Sequence, residues 1–242
     1  MKYDYEYYVA TTTSELINMI KEGKIRTNCN GIAHFKHLDK RLEERQDEHD
    51  NIKYAYASTL FKNNQEKSVA ILKELIDKEH EPSMYMYALL NLKGELSDID
   101  KLTSLELMKK SSSLGYAVAS HGLSFMYYNG DFGFEKDLEK SFYYANLTID
   151  QGYNVGYFQA GRVCIEKGNN VENYEKAVSY FEKVDIEKYH KKHVELIINA
   201  NEQLGKFYTN GENGAIKDQK LGKKYMERAE EIRKVITDSD EE

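Results

Sequence analysis

Three groups of side chains in this chain have types and spacing that chemistry could use. The first is Cys29 with His34, His37 and Asp39. Histidines at i and i+3 share a helix face, and zinc accepts thiolate, imidazole and carboxylate ligands in a tetrahedron. A metal-dependent enzyme or metal-binding protein is the reading if that cluster closes. The second Cys-x2-Cys half of a finger is missing, however, and solvated surface histidines explain the pattern more simply. His190 and His193 repeat the spacing in a lysine-rich helix start and are read the same way. The second group is Cys164 as nucleophile with His121 as base. The third is Asp131-Phe132-Gly133, the triplet found in kinases. A kinase also needs a glycine-rich loop, a strand lysine and a catalytic-loop Asp with Asn, and the sequence has none of them. The same stretch mis-spaces the acidic ligands of a calcium loop. No catalytic residue, metal or cofactor is assigned.

The elements that place these residues are repeats. "NGDFGFEKD" at 129–137 and "NGENGAIKD" at 210–218 agree at five of nine positions. A helical stretch ending in an aromatic precedes each: Leu123, Ser124, Met126 and Tyr127, then Leu204, Gly205, Phe207 and Tyr208. A second stretch with paired large residues follows each, Tyr143-Tyr144 and Tyr225-Met226. Residues 157–184 share the pattern, with Ala160-Gly161, Cys164, Gly168, Ala177 and Tyr180-Phe181, and residues 86–115 carry a looser copy. The small residues Ser104, Ser141, Ala177 and Gly222 lie 37, 36 and 45 positions apart. A period in this range marks stacked helix pairs, none of which covers its apolar face alone. In each pair, Asn-Gly ends the first helix through a left-handed glycine, and Asp137 or Asp218 caps the second. Cys164 then falls where other copies have Tyr127 and Tyr208, a core position for an inert thiol.

The best copy runs through Ala119, Leu123, Ser124, Met126, Tyr127, Gly130, Asp137, Lys140, Ser141, Tyr144, Asp150 and Gly152. This pattern resembles the Sel-one-like repeat, a relative of the tetratricopeptide repeat, over residues 83 to 234. A degenerate pair is expected at 51–80, with Tyr54, Ala57, Ser58, Phe61, Leu72 and Leu75. The chain departs from the pattern in having no tryptophan, in Ser124 and Leu89 where the family has glycine, and in a longer fifth unit. It also lacks the cysteine pair per repeat of a secreted, disulfide-bonded set of such proteins. The resemblance implies an adaptor or scaffold for other proteins. The expected fold is all-α, an α/α solenoid of about five helix-turn-helix repeats over residues 51–234. Residues 1–50 are read as an N-terminal cap or separate module, with alternating Tyr3, Tyr5 and Tyr7, a helix from 13 to 22 and another from 33 to 49. An acidic tail covers residues 235–242.

Bulk properties exclude several functions. The net charge of −7 without a basic stripe argues against nucleic acid. No stretch approaches the ~18 apolar residues of a membrane helix. With two cysteines, Cys29 and Cys164, and no leader-like start, a cytoplasmic chain of bacterial or phage-derived source is expected.

By the tetratricopeptide resemblance, first helices line a concave groove. Its positions are Ser83, Met86, Leu90 and Lys93 in the second pair, and Val118, His121, Phe125 and Tyr128 in the third. The fourth contributes Val155, Phe158, Arg162 and Ile165, and the fifth Asn199, Glu202, Lys206 and Thr209. An apolar middle with aromatic and arginine anchors is where interfaces concentrate binding energy. A peptide or protein partner is the first expectation; the N-terminal segment or a second copy in a homodimer are the other occupants. An inhibitor or immunity-type protein covering a basic surface is an alternative resting on net charge alone.

Overall fold

The structure, a computed structural model, describes residues 42–44 and 46–238. The expected tyrosine-rich strand, the helix at 13–22, the cluster of Cys29, His34, His37 and Asp39, and the tail beyond residue 238 lie outside the described residues. Among the described residues every regular element is helical and five hairpins follow one another. They pair α1 (Asp50–Leu60) with α2 (Gln65–Asp77), α3 (Glu81–Leu92) with α4 (Lys101–Ser113), and α5 (Ala117–Asn129) with α6 (Leu138–Asp150). Next come α7 (Val155–Lys167) with α8 (Val171–Phe181), and α9 (Lys191–Asn210) with α10 (Gln219–Asp238). The fold is therefore the all-α hairpin-repeat class expected of a solenoid. The helix expected to run to residue 49 ends sooner. Gln46–Glu48 is a 3-10 turn, and His49 caps α1, its Nδ1 accepting from the Asn51 amide at 3.0 Å.

The second helix of every hairpin starts the same way. Asn64, Asp100, Asp137, Asn170 and Asp218 each accept a hydrogen bond from the backbone amide three residues on, at 2.7–3.1 Å. A helix leaves its first amides without partners, and a short Asx side chain satisfies one of them for about 1 kcal/mol. The two matching loops coincide in geometry as well as sequence. Gly130 and Gly211 sit at φ 75° and 74°, and their amides bond to Met126 and Phe207 carbonyls. The Asp137 and Asp218 amides both donate back to the preceding tyrosine carbonyl, of Tyr127 and Tyr208, at 2.8 Å. Phe132 and Asn213, equivalent in the alignment, share the left-handed conformation.

The chain divides into two compact units, one ending at Leu114 and the other beginning at Gly115. The core of the first unit joins α1, α2 and α3 through Ile52, Tyr56, Leu72, Leu75, Met86 and Leu90, all buried. Burying a side chain of this size contributes about 1.5–3 kcal/mol.

In the second unit the tyrosine pairs find their explanation. Tyr127 of α5 stacks on Tyr144 of α6, with ring centroids 5.9 Å apart and planes 6° apart. Tyr208 of α9 and Tyr225 of α10 repeat the stack at 5.9 Å and 13°. Close approach behind the stacks is provided by small residues. Ser124 and Ser141, both fully buried, exchange hydrogen bonds: each hydroxyl donates to the other's carbonyl, at 2.7 and 2.8 Å. In the last hairpin Gly205 and Gly222 take these places. A β-carbon on Gly222 would lie 2.8 Å from the Gly205 carbonyl oxygen. On α7, a β-carbon at Gly161 would enter the Phe181 ring. Around these contacts Phe158, Cys164, Val178, Phe181, Ile197, Leu204 and Phe207 form one continuous core.

Candidate functional site

The groove positions do not all reach the surface. In the first unit Ser83, Met86 and Leu90 are buried, and the Met86 sulfur accepts from the Ser58 hydroxyl at 3.3 Å. That part of the expected groove is corrected to core. The helix reads EPSMYMYALLNL, apolar nearly all round, and such a helix packs on several sides. Phe158, 6% exposed, is core as well; it packs against Phe181, Tyr189 and His193.

The rest of the expected groove lies in the second unit. On α5, Phe125 is 42% exposed, while Val118, His121 and Tyr128 are half-buried. Arg162 and Ile165 of α7 are half-buried, as is Glu202 of α9, and Lys206 is exposed. Glu202 pairs with Arg233 of α10, which neutralises that end. The structure joins Phe125, Tyr128, Phe158 and Arg162 into one cluster, because α5 and α7 are neighbours. The Arg162 guanidinium lies over the Tyr128 ring at 4.4 Å, with Phe125 at 5.8 Å and Phe158 at 6.0 Å. A guanidinium stacked on aromatic faces gains attraction and loses rotamer freedom together.

Three further residues complete the site. Gln159, 1% exposed, accepts from Arg162 Nη1 at 3.1 Å through Oε1, while its Nε2 has no partner. Tyr153 meets His121 edge to face at 6.1 Å. His193 of α9 stands at 5.0 Å from Phe158. Burial, with Arg162 nearby, lowers the pKa of His121 and of His193, which favours the neutral form of each. The sequence signal for Gln159 is a lone amide between Phe158 and Ala160 in an otherwise apolar turn.

The remaining chemical candidates among the described residues occupy structural positions. Cys164 is buried at 2% exposure, and that burial pushes its thiol pKa up, away from the thiolate a nucleophile needs. His190 caps α9 by accepting from the Lys192 amide at 3.3 Å, and its ring lies 6.4 Å from that of His193. Among the described residues no group of three or more metal-capable side chains converges. Asp131–Gly133 forms a 3-10 turn inside the repeat loop. No helix of the described residues is long and apolar enough to cross a membrane.

The Sel1 repeat pattern matches residues 82–116, 117–153, 154–183 and 198–231, together more than half of the chain. The chain belongs to the Sel1 repeat family. Three Sel1 repeats coincide with the hairpins α3–α4, α5–α6 and α7–α8. The fourth begins inside α9, whose first two turns lie outside it, and this is the longer fifth unit. The α1–α2 hairpin falls outside the matched Sel1 segments.

Solved structures show the same fold. A protective antigen of uropathogenic Escherichia coli displaying an SLR fold aligns with a TM-score of 0.56 at 16% identity, over 88% of this chain and 44% of that one. This chain thus spans less than half the length of that antigen. A Sel1 repeat protein from Oxalobacter formigenes aligns at 0.54 and 14% identity, over 93% of this chain and 92% of that one. No curated protein sequence matches. Sel1 repeat proteins are in general protein-interaction scaffolds.

Proposed function

We propose that this Sel1 repeat chain is a non-enzymatic scaffold that grips a peptide or protein segment on the α5–α7 face of its second unit. The observation that carries this reading is Phe125, a large ring left 42% exposed beside Tyr128 and Arg162. Interfaces draw most of their energy from a few aromatic and arginine anchors. A scaffold in a reducing cytoplasm suits a chain whose described cysteine is a buried free thiol. Phe125→Ala is the test, because Phe125 is the anchor not spent on the core. Pull-down from the native host, followed by calorimetry on the captured partner, should show affinity falling about tenfold or more, the range of an anchor residue. Circular dichroism should be unchanged. A partner bound equally well by Phe125→Ala would exclude this face.

A further inference from the structure

Arg162 has lost the partner its own helix supplies. Glu166 lies one turn further along α7, the usual place for an ion pair. Instead, Lys136 from the α5–α6 loop pairs with the Glu166 carboxylate, and the Tyr128 hydroxyl donates to its other oxygen at 3.4 Å. Arg228 and Arg233 each pair with glutamates. Among the described residues Arg162 is the arginine without an ion pair. Among the described residues its one hydrogen bond runs from Nη1 to Gln159 Oε1. A guanidinium carries five N–H donors and no acceptor.

A free arginine on an open helix face samples many rotamers in water. This one is fixed between Tyr128, Phe125 and Phe158 and braced by Gln159. The buried Gln159 amide leaves Nε2 unpartnered, a further donor beside the guanidinium. Among the described residues donors therefore exceed oxygen acceptors at this point, and the other buried side-chain atom of the site without a partner is a ring nitrogen, His121 Nδ1. Buried polar groups in folded proteins are nearly always paired, so an orphaned amide next to an unpaired cation points to a group from outside. A planar guanidinium fork matches a carboxylate with two parallel hydrogen bonds. Apolar neighbours of that carboxylate would lie on Phe125 and Tyr128.

Resting on the scaffold reading above, we propose that the α5–α7 face recognises a peptide with one Asp or Glu flanked by apolar residues, its carboxylate held by Arg162 and Gln159. The rings exclude water from one side of the pair, which strengthens it relative to a surface ion pair. Recognition is thus local: the overall charge of −7 favours basic partners at long range, whereas this point selects an acidic side chain.

The test uses the full chain and a positional-scanning library of ten-residue peptides. One position at a time is fixed as Asp, Glu, Asn, Gln, phosphoserine or Lys, and binding is read by fluorescence anisotropy. The wild type should prefer Asp or Glu over the matching amide at one position by about 10- to 100-fold, the range for a desolvated charge-assisted pair. In Arg162→Gln that preference should vanish, the acidic peptides losing more affinity than the amide peptides until the two bind alike. Arg162→Lys, which keeps the charge but loses the fork, should retain only part of it. Phe125→Ala should weaken acidic and amide peptides alike. Equal binding of acid and amide, or an acidic preference that survives Arg162→Gln, would overturn the carboxylate assignment and leave the scaffold reading standing. Preference for phosphoserine over both acids would overturn it in favour of a phosphate site. Peptide binding that ignores Phe125→Ala, or no peptide binding at all, would sink the scaffold face itself.

Discussion

Replacing Gly222 with alanine sets two opposing effects against each other, and the structure decides which is larger. Alanine favours a helix over glycine by about 1 kcal/mol, so an open position would be stabilised. At this position the new β-carbon would lie 2.4 Å from Thr209 Oγ1, 2.8 Å from the Gly205 carbonyl oxygen and 2.9 Å from the Thr209 amide nitrogen. The Thr209 hydroxyl can rotate away, but the other two atoms are backbone of α9. Relief therefore requires α9 and α10 to move apart. That motion strains the stacked Tyr208 and Tyr225 and loosens the packing of Leu204, Ala229 and Ile232. Overpacking costs about 1–3 kcal/mol, and contacts against fixed backbone belong in the upper part of that range. The net loss is about 2 kcal/mol, or a Tm lower by about 4–8 °C for a chain of this length. Differential scanning fluorimetry and urea denaturation should both show it. Adding Thr209→Ala should recover less than half, because the two backbone contacts persist. Lys220→Ala, two residues away and exposed, should stay within about 0.5 kcal/mol of the wild type. A Gly222→Ala protein as stable as the wild type would refute the claim that backbone approach fixes this hairpin.

Two further perturbations test other contacts. Ser124→Ala and Ser141→Ala should each cost about 1 kcal/mol in urea denaturation, since each removes one buried hydroxyl-to-carbonyl bond between α5 and α6; no loss from either would mean that close packing alone joins this pair. His80 is buried, bonded through its two ring nitrogens to Ser83 Oγ at 2.8 Å and Asn51 Oδ1 at 3.1 Å, and desolvation lowers its pKa. Its stabilising effect is whole above the unfolded histidine value of about 6.5. It is lost as pH falls from there towards the lowered folded value, because the unfolded chain takes up a proton first. His121 and His193 are shifted the same way, so the readout is a difference: the drop in Tm between pH 7.5 and pH 5.5 should be smaller in His80→Gln than in the wild type. Equal drops would remove His80 from the acid sensitivity.

The hairpins were legible in the sequence because their determinants are local. A glycine at φ 75° and an Asx side chain reaching an amide three residues on act within one turn, so "NGDFGFEKD" and "NGENGAIKD" specify the same loop wherever they occur. The small residues at a 36–37 residue spacing also showed where helices would touch, since steric size is carried by the residue itself.

Which flank of a first helix stays open was decided by tertiary structure. Met86 and Phe125 were assigned to the same groove on equal grounds, yet one is 4% exposed and the other 42%. Exposure depends on what the neighbouring pair brings, and an all-round apolar helix carries no record of that. The state of Arg162 is settled in the same way. In the sequence, Glu166 four residues on is its natural partner; in the fold, Lys136 from the α5–α6 loop, 30 residues before Glu166, bonds to that carboxylate and the guanidinium stacks on Tyr128. Local chemistry determines the hairpins, and competition among distant side chains determines which charge is left over.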